Sequence, residues 1–357
     1  MGHDIISIRE LSADLVKVWD DLQDGQCNLS SPFFGSAFAR AVGRRRDDLR
    51  VAVLRGDDGV CGFLPFHIKT GGCAAPVGGQ ICDYQGIIGT APDAGRRGER
   101  LLRGCGLSAY DFNHGLAGDP LMSANAFAFS VSRRADLRDG LESWTRDVSA
   151  NSKQLATVRR KMRKIEREIG PLRLERHDAS DSAWSLFRRW KDDSLRQQGA
   201  PGFLEPEWVN ALIHDLRDQD EPRFGGMFST LYAGDRMIAA HFGLRSHRAW
   251  HWWFPSYDPA LGNMSPGMVL LLLCIEEAAN MGLEEIDFGR GEQRYKQQFG
   301  NRSRELCEGS LERPATPCGA IRACRKSMQR LANRTLPGHA GDIFRRGCTK
   351  VLRAGLL

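Results

Sequence analysis

The feature that most constrains the fold is an internal repeat. "LSAYDFNHG" at 107–115 and "LEEIDFGRG" at 283–291 share the pattern Leu-x-x-apolar-Asp-Phe-x-x-Gly at an offset of 176 residues. A second match stands at nearly the same offset: the turn Gly56-Asp57 lies 178 residues before Gly234-Asp235. Each turn joins two strand-like runs, so "VAVLRGDDGVCGFLPFHI" and "MFSTLYAGDRMIAAHFGL" both read as β-hairpins. Two matches in the same order imply two copies of one α/β unit. The length of 357 residues agrees, because it exceeds what a single core usually serves.

The copies are unequal. The second contains "SPGMVLLLL" at 265–273, inside an unbroken apolar run over 268–275. That run stops at Glu276-Glu277, well short of the roughly 20 residues a spanning helix needs. It predicts a soluble helix with Ser265 capping its first amides, Pro266 at its first position and Gly282 as its stop. A helix start offers free N–H groups and a positive dipole end, and Gly267 has no side chain to keep an anion from them. The first copy has "GTAPDAGRRGERLLR" in this place, broken by glycine and crowded with charge. The chemistry is therefore expected in the second copy.

Between the copies, Leu155, Val158, Met162, Ile165 and Ile169 step by 3, 4, 3 and 4, the stripe of an amphipathic connector helix. Seven Lys and Arg from Lys153 to Arg167 cover its other face. A second basic stretch closes the chain: from Arg313 onward ten Lys and Arg face the single acid Asp342. That tail carries about +9 of a chain whose formal charge is +6, so the remainder is about −3. Ile321, Cys324, Met328 and Leu331 step by 3, 4 and 3 within it, which predicts a basic amphipathic helix, dispensable for folding and able to lie on anionic lipid. The basic runs lack neighbouring aromatic residues for base stacking, so nucleic acid is not an expected partner. The ten cysteines form no Cys-x-x-Cys pair, which predicts neither a metal site nor a disulfide framework. No basic start followed by an apolar core is visible, so no signal peptide is read. The expected location is cytoplasmic, with the tail as a peripheral contact at the inner face of the membrane.

The segments "YDPALGNMSPGMVL" (257–270), Gly282, Asp287-Phe288-Gly289, Gly291 and "YKQQFG" (295–300), in this order, resemble the GNAT-like acyltransferases of the Fem type. Within these the chain looks most like the acetyltransferases of bacterial cellulose and exopolysaccharide synthesis (CelD-like). The resemblance spans roughly residues 10 to 312. It implies an α/β (α+β) fold of two tandem GNAT-like domains. These are a degenerate N-terminal one at 1–150 and a catalytic one at 171–312, joined by the connector at 151–170 and followed by the tail at 313–357. It also implies acetyl-CoA or another acyl-CoA as the donor, no metal, and a sugar, glycolipid or polysaccharide precursor as the acceptor. In such folds Ser265, Pro266, Gly267 and Met268 would receive the coenzyme pyrophosphate. Ordinary GNAT enzymes carry Arg/Gln-x-x-Gly-x-Gly/Ala at this point, and "NMSPGM" departs from that pattern. Fem-type ligases of the same fold use aminoacyl-tRNA to modify a cell-wall precursor, which stands as the alternative donor.

Acyl transfer needs a held donor, a group to stabilise the carbonyl oxygen and a proton acceptor. Lys296, on a glycine-flanked loop after a strand, is the expected oxyanion stabiliser, and in Fem-type enzymes the corresponding lysine lies near the donor carbonyl. Asp287 is read either as the proton acceptor or as the residue that orients Lys296 or Tyr295. Its counterpart Asp111 in the other copy favours a structural role. His241 and His251 titrate near neutrality and could act as bases, or could simply be packed on their strands. Tyr257, Trp253 and Lys191 are the expected acceptor contacts. The remaining readings are a non-catalytic membrane-surface or nucleic-acid binding protein using the basic runs, and an assembly role beside a polysaccharide synthase through the basic tail.

Overall fold

A computed structural model gives the fold; it describes residues 3–91, 94–197, 199 and 205–335. The part of the basic tail after residue 335 lies outside the described residues. The first half runs β1 (Asp4–Ser7), α1 (Ala13–Asp24), α2 (Ser36–Arg45), β2 (Leu49–Gly56), β3 (Gly59–Ile68), β4 (Cys73–Pro76), β5 (Ile88–Gly89), α3 (Glu99–Gly104), β6 (Ala109–Leu116), α4 (Pro120–Ala124), β7 (Ala126–Asp136) and α5 (Gly140–Asn151). The connector α6 (Gln154–Glu168) leads to β8 (Leu172–Glu175), α7 (Asp181–Gln197), α8 (Glu207–Arg217), β9 (Asp220–Glu221), β10 (Phe224–Ala233), β11 (Arg236–Ser246) and β12 (Ala249–Tyr257). Then follow α9 (Pro266–Asn280), β13 (Glu285–Arg290), α10 (Arg294–Phe299), β14 (Arg302–Glu312) and α11 (Pro317–Thr335).

The chain forms two compact units that interleave in sequence. Unit 1 lies within Met1–Leu29, Val42–Ser130 and Glu305–Leu357, and unit 2 within Ser30–Ala41 and Val131–Arg304. A cut near residue 150 therefore does not separate them. The reason is strand pairing between sequence-distant segments. β14, from the far end of the chain, pairs antiparallel with β6 from Leu306↔Leu116 to Glu312↔Ala109. β7, from the first half, pairs with β13 through Glu285↔Asp136 and Ile286↔Ala135.

Each unit has a mixed sheet of the same order. Unit 1 runs β1-β2-β3-β4-β6-β14 and unit 2 runs β8-β10-β11-β12-β13-β7, with one parallel pair in each, β4 with β6 and β12 with β13. The predicted hairpins are β2–β3 and β10–β11, and Gly234 takes a left-handed φ of 57° in the second turn. The difference expected between the two segments is present in their helices: α9 has 15 residues where α3 has 6. In unit 2 the apolar stripe of α6 and nearly all of α9 enter one core, with Leu155, Val158 and Ile165 buried beside Val269, Leu270 and Leu272.

The tail forms the expected amphipathic helix, with Ile321, Met328 and Leu331 on one exposed side. α11 turns its charges inward onto unit 1: Arg322 reaches Asp111 at 2.8 Å, and Lys326 donates to Glu312 at 2.7 Å and to Asn125 at 3.0 Å. Glu312 is fully buried, so α11 is a structural part of unit 1 and not a dispensable appendix. The carboxylates on β6 and β14 decide which side of the helix faces in, because a buried carboxylate requires a cation.

Candidate active site

The site is built where two parallel strands part. β12 and β13 pair only at Ala249↔Glu285, Trp250↔Ile286 and His251↔Asp287. Beyond His251, β12 stays with β11 as far as Tyr257, while β13 follows β7 to Arg290. A notch therefore opens between the carboxyl ends of two neighbouring strands, the edge at which α/β sheets commonly take ligands. The connection returning from β12 to β13 places the start of α9 at this same edge, and α10 follows from the end of β13.

The parting begins with an irregularity in β12. Its register against β11 shifts between Phe242 and Leu244, and this frees the amide of Trp253. That amide donates to His241 Nε2 at 3.0 Å, while the imidazole stacks on Trp252 at 3.8 Å and 7°. The Nε2 lone pair is thus engaged, the ring is fully buried, and its Nδ1 has no hydrogen-bond partner. Burial, with smaller contributions from His251 and Lys191, holds its pKa well below the usual histidine value. In this geometry His241 caps the irregularity through Nε2.

Asp287 lies at the branching point and is enclosed by partners. Its Oδ1 accepts from Ser132 Oγ and from the Gly289 amide, each at 2.8 Å, and its Oδ2 from Arg304 Nη1 at 3.3 Å. Glu285, on the same face of β13, accepts from Ser30 Oγ and Arg134 Nη1 at 2.6 Å and from Arg304 Nη2 at 3.2 Å. Two buried acids are balanced by two arginines, an arrangement that fixes β13 rather than exposing a base. His251 Nδ1 stands 3.8 Å from Asp287 Oδ1, and its ring meets Phe33 edge-on. Asp111, the counterpart in unit 1, is likewise held by an arginine, Arg322.

Lys296 is buried at 5% exposure, and its ammonium donates to the carbonyls of Gly289 at 3.1 Å and Arg290 at 2.8 Å. The cation is therefore fixed at the end of β13, tying α10 to the strand. Tyr295, one residue earlier, packs against Phe288 at 6.2 Å, and burial pushes its phenol pKa up.

At the start of α9, Ser265 departs from its expected role. It adopts a left-handed φ of 52°, closing the short 3-10 turn Pro259–Met264, and its side chain makes no cap. Its Oγ instead accepts from Lys161 Nζ of α6 at 2.5 Å. Sequence reading separated the basic connector from the helix start, but the fold brings them together. Pro266 is buried, Met268 packs on the core, and Gly267 faces Tyr257, whose ring would stand 3.4 Å from an added Cβ. Tyr257 itself is 47% exposed. Lys191 of α7 reaches the Pro255 carbonyl at 3.4 Å and lies 5.8 Å from the Phe254 ring, with its pKa lowered by burial. Trp253 stacks on Phe254 at 4.3 Å. Lys191, Trp253 and Tyr257 thus gather along the outer half of β12.

The residues that sequence reading missed were Lys161, Arg304, Arg134, Ser132 and Ser30. Only the charged row on α6 signalled any of them. A cavity of about 790 Å³ opens at the opposite end of α9, lined by Leu137, Leu141, Arg248, Asn280 and Leu283 among others; no predicted site residue lines it. Among the described residues, no group of three or more His, Cys, Asp or Glu is placed to hold a metal, and no helix is long and apolar enough to cross a membrane.

Residues 152–297 match the family model described as an acetyltransferase (GNAT) domain. This part of the chain is similar to a GNAT acetyltransferase domain. The match covers α6 through most of α10, and so includes the notch, the start of α9 and Lys296. Among solved structures the chain is similar to the C-terminal domain (DUF2156) assigned to a lysylphosphatidylglycerol synthetase of Agrobacterium fabrum. The TM-score is 0.53 at 13% identity, over 88% of this chain and 96% of that one. It is also similar to FemX, with a TM-score of 0.55 at 8% identity, over 83% of this chain and 94% of that one. Identities this low show the fold alone. The sequence matches no curated protein, and these comparisons name no group specific to cellulose or exopolysaccharide.

Proposed function

We propose that unit 2 transfers an acyl group from acyl-CoA, acetyl-CoA in the simplest case, to a sugar, glycolipid or polysaccharide precursor. The observation that carries this reading is the notch between β12 and β13, opening beside the start of α9 within a GNAT acetyltransferase-like domain. The residues present fit the coenzyme. Its pyrophosphate would lie at the first turn of α9, where Gly267 leaves the backbone open and Lys161 brings a cation to Ser265. Ser265, Pro266, Gly267 and Met268 form that turn. The coenzyme, when bound, supplies the activated thioester.

This chain's residues would do the rest. Past His251 the edge of β12 that faces away from β11 has no strand beside it among the described residues, so its amides and carbonyls can hold an extended ligand. Lys296, fixed by two carbonyls, would hold positive charge near the carbonyl oxygen that becomes negative during transfer. Asp287, Tyr295 and His241 would position the notch and not exchange protons with substrate. Trp253, Tyr257 and Lys191 would contact the acceptor, the aromatic faces suiting sugar rings. We further propose that the two units arose by duplication and that unit 2 kept the chemistry, since unit 1 has only the six-residue α3 where unit 2 has α9.

A second reading, aminoacyl transfer from aminoacyl-tRNA, draws support from the exposed basic face of α6, with Arg159, Arg160, Arg163 and Arg167 turned to solvent. Mass spectrometry of small molecules retained by the purified protein, with calorimetry of coenzyme A, separates the two. Saturable coenzyme A binding supports the first. Its absence, together with transfer from a charged tRNA, would replace it with the second.

A further inference from the structure

Transfer to a hydroxyl or amine needs a proton acceptor, and two candidates in unit 2 are engaged by structural partners. Asp287 is held by Ser132, Gly289 and Arg304, and His241 Nε2 by the Trp253 amide. The backbone of β12 points to a third group. The Asp258 amide donates to the Ile238 carbonyl at 3.0 Å, and the register of β12 on β11 sets Ser256 opposite Ala240 and Pro255 opposite His241. Facing pairs in an antiparallel ladder alternate between bonded and non-bonded ones. Asp258 and Ser256 therefore turn their polar groups to β11, and the Pro255 and Tyr257 carbonyls turn the other way. That other side is the edge from which β13 has parted. Lys191, on α7, donates to the Pro255 carbonyl at 3.4 Å. Its amine thus stands at the open edge of the notch. Two residues further on, about 7 Å along the strand, the Tyr257 ring faces Gly267 in the first turn of α9.

Lys191 has little to hold a charge. It is half-buried, its hydrogen bond to Pro255 is long, and the Phe254 ring lies 5.8 Å away. Among the described residues no carboxylate pairs with it. Asp192 follows it in the chain and makes no ion pair with it, Arg188 one turn back on α7 is a like charge, and His241 on β11 is held neutral by burial. Burial also holds the Lys191 pKa below the usual lysine value, which favours the neutral amine.

We propose that Lys191 is the general base of unit 2, its neutral Nζ taking the proton of the acceptor's hydroxyl or amine as that oxygen or nitrogen attacks the acyl carbon. Lys191 then gives the same proton to the departing sulfur and returns to its starting form. The assignment rests on the acyl-CoA reading of unit 2 and supplies the base that reading requires.

The test begins without any acceptor. In the full chain, with its lysines methylated by isotope-labelled formaldehyde, the Lys191 resonance is the one lost in Lys191→Met. It should titrate below the surface lysines. With acetyl-CoA as donor and water in the acceptor's place, Lys191→Met should hydrolyse the thioester about a hundredfold more slowly, while coenzyme A affinity by calorimetry is unchanged. Lys191→Arg keeps the charge and cannot release its proton, so it should be as slow as the Met variant. A Lys191 that titrates with the surface lysines, or a Met variant at the parental rate, would overturn the proposal. An Arg variant that restores the rate would overturn it too, by making Lys191 a fixed cation for the acceptor. A full chain that fails to bind coenzyme A overturns the donor reading itself, and so is told apart from a failure of the base alone.

Discussion

Replacing Lys296 with Met keeps the side-chain length and removes the ammonium. The Gly289 and Arg290 carbonyls would then lose their donor in a place that is 5% exposed. Each buried acceptor left unpaired costs about 1–3 kcal/mol, and relief of the buried charge returns part of that. A net loss of about 2–3 kcal/mol is therefore expected, read as a lower denaturant midpoint at unchanged slope. Turnover should fall by about two orders of magnitude with the donor KM little changed, because the charge matters chiefly once the carbonyl oxygen becomes negative. Lys296→Arg should recover part of the stability, since a guanidinium can also donate to two carbonyls, and less of the rate, since its charge is displaced. A Met variant as stable as the parent would refute the tie between α10 and β13. Normal turnover on the true acceptor would refute the electrostatic role.

Gly267→Asp should weaken coenzyme A binding at least tenfold by calorimetry while the melting temperature holds, because its Cβ would meet the Tyr257 ring only at ordinary contact distance. His241 has a folded pKa below its unfolded value, so the unfolded state binds more protons, and the stability it lends is complete above about pH 6.5 and lost as pH falls below that. His241→Gln, able to accept from the same Trp253 amide, should flatten the denaturant midpoint between about pH 6.5 and 5 relative to the parent; parallel pH profiles would remove histidine protonation as the cause. Truncation after residue 312 should leave Glu312 buried without Lys326, at a cost of about 3–5 kcal/mol, and yield a protein that fails to fold or unfolds early. A soluble, cooperatively melting truncation would show that α11 is an appendage after all.

What the sequence determined by itself was local. The turn at Gly234, the length of α9, the α6 stripe and the strand around Asp287 each depend on residues within a few positions of one another. Turn conformation, helix ends and apolar periodicity are decided at that range. The pattern also located the edge where chemistry is proposed, because the Ser-Pro-Gly entry and the Tyr295-Lys296 loop flank one strand. Partner choice was beyond it. Ser265 looked like a helix cap, yet its backbone closes the preceding turn and its hydroxyl meets Lys161, 104 residues away. His241 looked like a base until the irregular strand beside it required an acceptor. The tail looked like a basic amphipathic helix dispensable for folding, but Asp111 and Glu312 lie beneath it. Periodicity fixes that a helix has two faces, whereas the charges buried opposite decide which face turns in. Those charges come from strands some 200 residues apart in the chain for Asp111 and adjacent to the helix for Glu312, and only the folded sheet sets them side by side.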